Sequence, residues 1–186
     1  RDMILDQLSE LVPLHVVKRD SGMIAVFTSQ GRTVLDDRAV EFSFDRAAVV
    51  LPHMTVDNGL LSKLQVNGNL VDFSGPSMMA GGSLAAQFEL RDITMVQSQT
   101  RLDAIARDTI ERFGPGGPDT TLTSGDMGVF VDGAGPFNAA NETGVAGRID
   151  LNSVLGSPGT EAWRWRDGIN AAVPGEGGKA DLLLEP

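Results

Sequence analysis

The 186-residue chain contains no cysteine. That excludes disulfides, a thiolate nucleophile and any Cys-based metal site, and it leaves stability to packing and hydrogen bonds. Lysine is nearly as scarce. Of the 15 basic residues only Lys18, Lys63 and Lys179 are Lys, and 25 carboxylates bring the net charge to −10 and the pI to about 4.5. Such a chain lacks the clustered cations that phosphate backbones and anionic lipid require, so neither nucleic acid nor membrane is expected as a partner. No apolar run approaches the roughly 18 residues of a membrane-spanning helix. The opening residues carry no basic, apolar and small-residue leader, and the expectation is a chain without a cleaved signal peptide.

Catalytic and metal-binding patterns are thin as well. His15 and His53 are the only histidines, and neither has the partner at i+4 that H-E-x-x-H requires. Both read as ordinary structural or surface residues. Asp36 and Asp37 are adjacent in a predicted strand. They would point to opposite faces and cannot flank one bond as paired glycosidase carboxylates do. Asp2 and Asp6 share a helix face and read as solvated surface. Asp119, Ser124-Gly125-Asp126-Met127-Gly128 and Asp132 are rich in oxygen ligands but lack calcium-loop spacing and its closing Glu. Gly114-Pro115-Gly116-Gly117 follows a predicted helix, whereas a phosphate loop precedes one. Asn141-Glu142-Thr143 fits the N-x-T acceptor pattern and reads as chance. Trp163 and Trp165, interleaved with Arg164 and Arg166, suggest stacking on sugar or base, but core anchoring is the stronger reading. Arg164 and Asp167, three apart, would tie that turn together. No catalytic, cofactor-binding or metal residue, no cofactor and no enzymatic activity is expected of this chain.

What is present is a globular composition, 41% hydrophobic and 22% charged. The most informative segment is Gly81-Gly82-Ser83-Leu84 through Phe113, a run free of proline and of internal glycine. Ser83 stands where an N-cap is wanted, and Phe88, Met95, Leu102 and Thr109 recur every seven residues, joined by Ile105 and Phe113. This predicts one helix over residues 83–112, about 45 Å long at 1.5 Å per residue. Phe88, Met95, Leu102 and Ile105 are expected to be buried against other helices.

Before it, residues 1–12 read as a helix with a face of Ile4, Leu5, Leu8, Leu11 and Val12, stopped by Pro13. Residues 13–80 read as one small antiparallel sheet of about five or six strands. Its hairpins turn at Asp20-Ser21-Gly22 and Asn67-Gly68, and Val40, Phe42 and Phe44 alternate onto one face. Residues 114–186 read as irregular chain. Short elements are expected at residues 129–131, 149–152 and 161–168, with another helix opening at Leu182-Leu183-Leu184. The expected fold class is α+β, long helices of a bundle packed with a small antiparallel β-sheet. Its parts are a bundle helix at 1–12, a β subdomain at 13–80, a long bundle helix at 81–113 and an irregular segment returning to the bundle at 114–186. Both ends fall inside helical patterns, which reads as an internal fragment.

The order and spacing of Arg1-Asp2, Leu5, Leu8-Ser9-Glu10-Leu11-Val12, Gly81-Gly82, Leu84, Phe88-Glu89, Arg91-Asp92, Leu102 and Phe113 resembles a known family. It is that of flagellar hook-associated protein 1, the first junction protein between bacterial hook and filament. A weaker likeness continues through Asn141-Glu142, Gly147-Arg148-Ile149 and Trp163-Arg164. The resemblance implies a structural component of the flagellum, exported without a cleaved signal peptide by a type III route and working outside the cell. It implies as partners the protein's own copies in a ring, the hook protein, the second hook–filament junction protein and an export chaperone. The family's terminal helices, which make the axial contacts, are not in this sequence, so the fragment itself is expected to be monomeric. The competing reading is an extracellular sugar- or protein-binding β module.

Overall fold

The computed structural model describes residues 2–71, 80–156 and 161–175. The chain divides into two compact units, Arg1–Gln97 and Ser98–Pro186.

The first unit opens with α1 (Asp2–Leu11). The Val12 N–H still donates to the Leu8 carbonyl, and Pro13 then ends the helix. Leu5 and Leu8 are half-buried and Val12 is buried, whereas Ile4 and Leu11 of the expected apolar face are exposed. β1 (Leu14–Lys18) and β2 (Ile24–Thr28) pair antiparallel around a 3₁₀ turn at Asp20–Gly22, and β3 (Thr33–Leu35) pairs on the other side of β2. The central strand carries most of the buried residues, Ala25, Val26 and Thr28, and β3 adds Val34. A second antiparallel sheet has the order β4 (Phe42–Ser43), β5 (Gln65–Val66), β6 (Asn69–Leu70). Asn67 and Gly68 turn its hairpin with φ of 49° and 75°, the left-handed pair that a two-residue type I′ turn needs.

The single sheet expected from the sequence is thus two sheets of three strands. Between β4 and β5 of the second sheet the chain is held in turns by its own side chains. Asn58 Oδ1 accepts from the Thr55 and Leu60 N–H groups, and its amide donates to the His53 carbonyl. Such local bonds compete with strand ladders. The alternating run at 40–44 yields only a two-residue strand, with Phe42 and Phe44 both exposed. The core of this unit joins Val12, Leu64, Val66 and Val71 to Leu14, Val40, Leu84 and Phe88.

The expected long helix is present in three successive pieces. They are α2 (Gly82–Glu89), a π-helical segment (Leu90–Thr94) and α3 (Met95–Arg112). Ser83 is not its N-cap. Gly81 caps it with φ of 86°, and Ser83 Oγ donates instead to the Glu10 carbonyl at 2.9 Å. The glycine pair is there for close approach. A Cβ on Gly82 would lie 2.3 Å from the Leu11 carbonyl oxygen, so α1 and α2 meet at a spacing that only glycine permits.

In the second unit, chain without regular structure follows α3 until β7 (Phe130–Asp132), which pairs antiparallel with β8 (Ile149–Leu151). Two short helices follow, α4 (Ser153–Gly156) and α5 (Arg164–Asp167). One core gathers Leu122, Val129, Leu155 and Ile169 with Phe113 and Trp165, and another joins Ala106, Ile110 and Val145. The expected helix at Leu182–Leu184 lies outside the described residues. The fold is α+β with small antiparallel sheets. Among the described residues no bundle of long helices is evident, and the apolar row of α3 has no helix against it.

Candidate functional site

The π-helical segment resets which residues of the long helix face inward. The Met95 N–H donates to the Leu90 carbonyl, five residues back, where an α-helix would use four. One residue is thereby inserted into the helical count. Reckoned from Phe88, the position one heptad on becomes Val96 rather than Met95. Phe88 and Val96 are half-buried and line one open cleft with Val71, while Met95 is 56% exposed.

Arg91, at the start of this segment, is anchored from three sides. It pairs with the Asp92 carboxylate, donates to the Ser62 carbonyl at 3.0 Å, and stacks 4.8 Å over the Phe88 ring and 5.6 Å over that of Phe44. The two rings meet edge to face. The Arg-Asp pair and Phe88 therefore fasten the helix to the chain around β4 and β5, and a cation–π contact of this kind contributes about 0.5–2 kcal/mol.

Farther along, the inward row of α3 is Gln99, Asp103, Ala106 and Ile110, spaced by four, three and four residues. The apolar row expected to be buried lies one position earlier. Leu102 is 54% exposed and Ile105 64% exposed, and Thr109 is half-buried with its hydroxyl donating back to the Ile105 carbonyl. Apolar content pointed to one row and the fold buries its neighbour, because the packing there is made by a small Ala106 and a hydrogen-bonded Asp103. The exposed residues Ser98, Leu102 and Ile105, continued by half-buried Thr109, are the candidate interaction surface of this unit.

Asp103 is buried, and all its partners are donors. Oδ2 accepts from the Gly144 N–H at 2.8 Å, and Oδ1 accepts from the Ala146 N–H and the Gln99 amide, both at 2.9 Å. Burial alone would raise its pKa. The two backbone N–H groups, the Gln99 amide and the charge of Arg148 outweigh burial and hold the carboxyl below its ordinary range.

Other carboxylates of this unit are used in the same manner. Asp119 accepts from the Thr121 N–H and hydroxyl and from the Ile169 N–H. Asp126 accepts from Thr123 and from the Asn170 amide, and these bonds lower its pKa. Asp132 takes both prongs of the Arg148 guanidinium. The residues that suggested a calcium loop therefore fasten separate pieces of loop to one another. Among the described residues no three His, Cys, Asp or Glu side chains group around a common point.

The remaining sequence-selected residues are dispersed. His15 is exposed on β1 and His53 is exposed in a loop. Asp36 and Asp37 lie just beyond β3 rather than in a strand, and Asp36 pairs with Arg19 at 2.9 Å. Trp165 packs against the Leu122 core, and Trp163 is covered by the Arg164 guanidinium 4.5 Å above its ring. Arg164 pairs with Glu161 rather than Asp167, and Asp167 is fully buried beside Arg166, with the Gly175 N–H as a further donor. Arg164 turns away because it also donates to the Ile169 and Ala171 carbonyls.

The described residues thus form an α+β protein in which carboxylates such as Asp103, Asp119 and Asp132 fasten loops to one another and α3 leaves Leu102 and Ile105 uncovered. The model of the flagellar hook-associated protein FlgK helical domain matches residues 1–114, and the chain belongs to the FlgK family. It is thereby a component of the bacterial flagellum with a structural, hook-associated role. No curated protein and no solved structure matches the chain significantly. Among the described residues no helix is long and apolar enough to cross a membrane.

Proposed function

We propose that this chain is part of the junction that seats the flagellar filament on the hook, assembling with neighbouring axial subunits through helix surface. The observation that carries this reading is the exposed row of Leu102 and Ile105 on α3, within the segment matched by the family's helical domain. An apolar row at four- and three-residue spacing on a charged, acidic protein is costly to leave in water and is suited to a second helix. In the assembled protein, residues 1–12 and 81–113 supply helices to a bundle, residues 13–80 form its β subdomain, and residues 114–186 return to it. The partners are further copies in a ring, the hook protein and the second junction protein, with an export chaperone before assembly. The protein acts outside the cell after export without a cleaved signal peptide, as a building block with no reaction of its own.

Deletion of the gene followed by electron microscopy tests the reading. Cells with hooks but no filaments, and flagellin in the medium, are the expected result. Normal filaments on the deletion strain would overturn it.

A further inference from the structure

We infer that residues 139–148 form a strap latched onto α3 by Asp103, and that releasing this latch widens the apolar face offered to a neighbouring helix. The inference rests on the helix-surface reading above and adds a means of regulating that surface.

The strap comprises two 3₁₀ turns, Ala139–Asn141 and Val145–Gly147. The second is capped from outside. Gly144 stands at its N-terminus with φ of 85°, its own residues supply no side-chain cap, and the N–H groups of Gly144 and Ala146 point to the Asp103 carboxylate. A capping carboxylate normally comes from the residue before the turn. Here it comes from a helix more than 40 residues earlier, 41 positions from Gly144 and 43 from Ala146. The cap is thus also the tether.

Val145 of the strap is fully buried against Ala106 and Ile110, and Phe130 of β7, Phe137 and Ile149 of β8 pack on the same cluster. Ala106 and Ile110 belong to the row beside Leu102 and Ile105. With the strap in place α3 presents Leu102 and Ile105, and with Val145 lifted Ala106 joins them, while Phe130 of β7 stays packed on the Ile110 cluster. The stripe broadens toward the width of about 100° by which a helix packs into a bundle rather than along a narrow seam.

The latch depends on charge. Its three partners donate, so the carboxylate accepts without conflict, whereas a carboxylic acid or an amide would set a donor against a donor. Rotation of the Gln99 amide relieves only Oδ1, which also holds Ala146. The other charged groups around Asp103 are already engaged. Arg148, at the end of the turn, holds Asp132 of β7, and Arg107 of α3 holds Glu142 of the strap at 2.8 Å. Neither Arg148 nor Arg107 replaces the bonds to Gly144 and Ala146.

The test uses the absence of cysteine. Ala106→Cys and, separately, Leu102→Cys are placed in the full chain with and without Asp103→Asn, and maleimide labelling is followed at neutral pH. The expected result is that Asp103→Asn speeds labelling at position 106 by about tenfold or more and leaves position 102 unchanged. Hydrogen exchange supplies the second measurement, with protection lost in residues 144–147 and retained across β7 and β8. Unchanged labelling at position 106 overturns the inference. So does joint loss of protection in the strap and in β7–β8, since Asp103 would then hold the whole unit rather than a strap. Both measurements are made without any partner, so they stand or fall separately from the gene-deletion test.

Discussion

Ala106 is among the smallest side chains on α3 and, with Asp103 and Ile110, among its most buried. Residue by residue, burial here follows the shape of what lies opposite rather than hydrophobicity. Two predictions come directly from that. Ile110→Ala should cost about 2–5 kcal/mol, because it leaves a cavity beneath Val145 and Phe137. Leu102→Ala should change stability by less than about 0.5 kcal/mol, because its side chain already lies largely in water. Denaturant melts of the two variants decide the matter, and a reversed order would return Leu102 to the core. The charge of Asp103 adds a pH dependence. The folded pKa of Asp103 is depressed, so its contribution is complete above the unfolded value of about 3.9 and is lost as pH falls through the lower folded value. The melting temperature of the wild type should therefore exceed that of Asp103→Asn at neutral pH, and the gap should close progressively below about pH 4. A gap that persists unchanged at low pH would show that the substitution acts through packing and not through charge.

At the level of elements, hairpins were the most legible part of the sequence and the long helix the most deceptive. Asn67-Gly68 and Asp20-Ser21-Gly22 carry their geometry in residues that tolerate positive φ or tight turning, and both hairpins stand where they were expected. The extent of the helical run was equally clear, since no proline or glycine interrupts it. Its phase was not. A π-helical segment has no residue signature, and Leu90–Thr94 shifts the heptad count by one without any breaker to mark it. The apolar row Met95–Leu102–Thr109 therefore gave a self-consistent but wrong inward face. The candidate surface was thus legible as a row of residues and misread as core, and the strap was invisible because its tether joins residues 41 and 43 positions apart.

The phase of the helix can be shifted by deletion. Deleting Thr94, an exposed residue of the π-helical segment, should let the helix close into continuous α winding with Phe88 and Val96 still on one face. Its melting temperature should stay within about 5 °C of the wild type, the shift expected for about 1 kcal/mol in a unit of this size. Deleting Asp108, exposed on α3, instead throws Ile110 out of phase with Asp103 and Ala106 and should abolish cooperative melting of the second unit. Equal damage from the two deletions would show that the π winding is required in itself. Gly82→Ala probes the junction with α1. Its Cβ would collide with the Leu11 carbonyl at a backbone φ of 76°, and a loss of more than about 1 kcal/mol is expected from thermal melts.

For the molecule as a whole, two opposing terms decide whether copies associate. The net charge of −10 makes copies repel one another over a screening length of about 10 Å at 0.1 M salt. Against this stands the exposed apolar surface of Leu102 and Ile105, too narrow by itself to sustain a stable dimer. Repulsion should win in dilute solution at low ionic strength, and sedimentation at low micromolar concentration should give the mass of one chain, 19.7 kDa. Raising salt toward about 1 M shortens the screening length to about 3 Å and strengthens apolar burial at the same time, so the weight-average mass should rise with salt. Replacing Leu102 and Ile105 together by Glu should remove that rise while leaving the melting temperature within about 3 °C, because neither side chain contributes to the core. A discrete large oligomer at low salt would mean that contacts other than the α3 row govern assembly. A salt-driven rise that survives the double substitution would show that some other exposed apolar group, such as Val49 and Val50, forms the self-contact. The α3 row would then have to earn its place in assembly through a partner other than the chain itself.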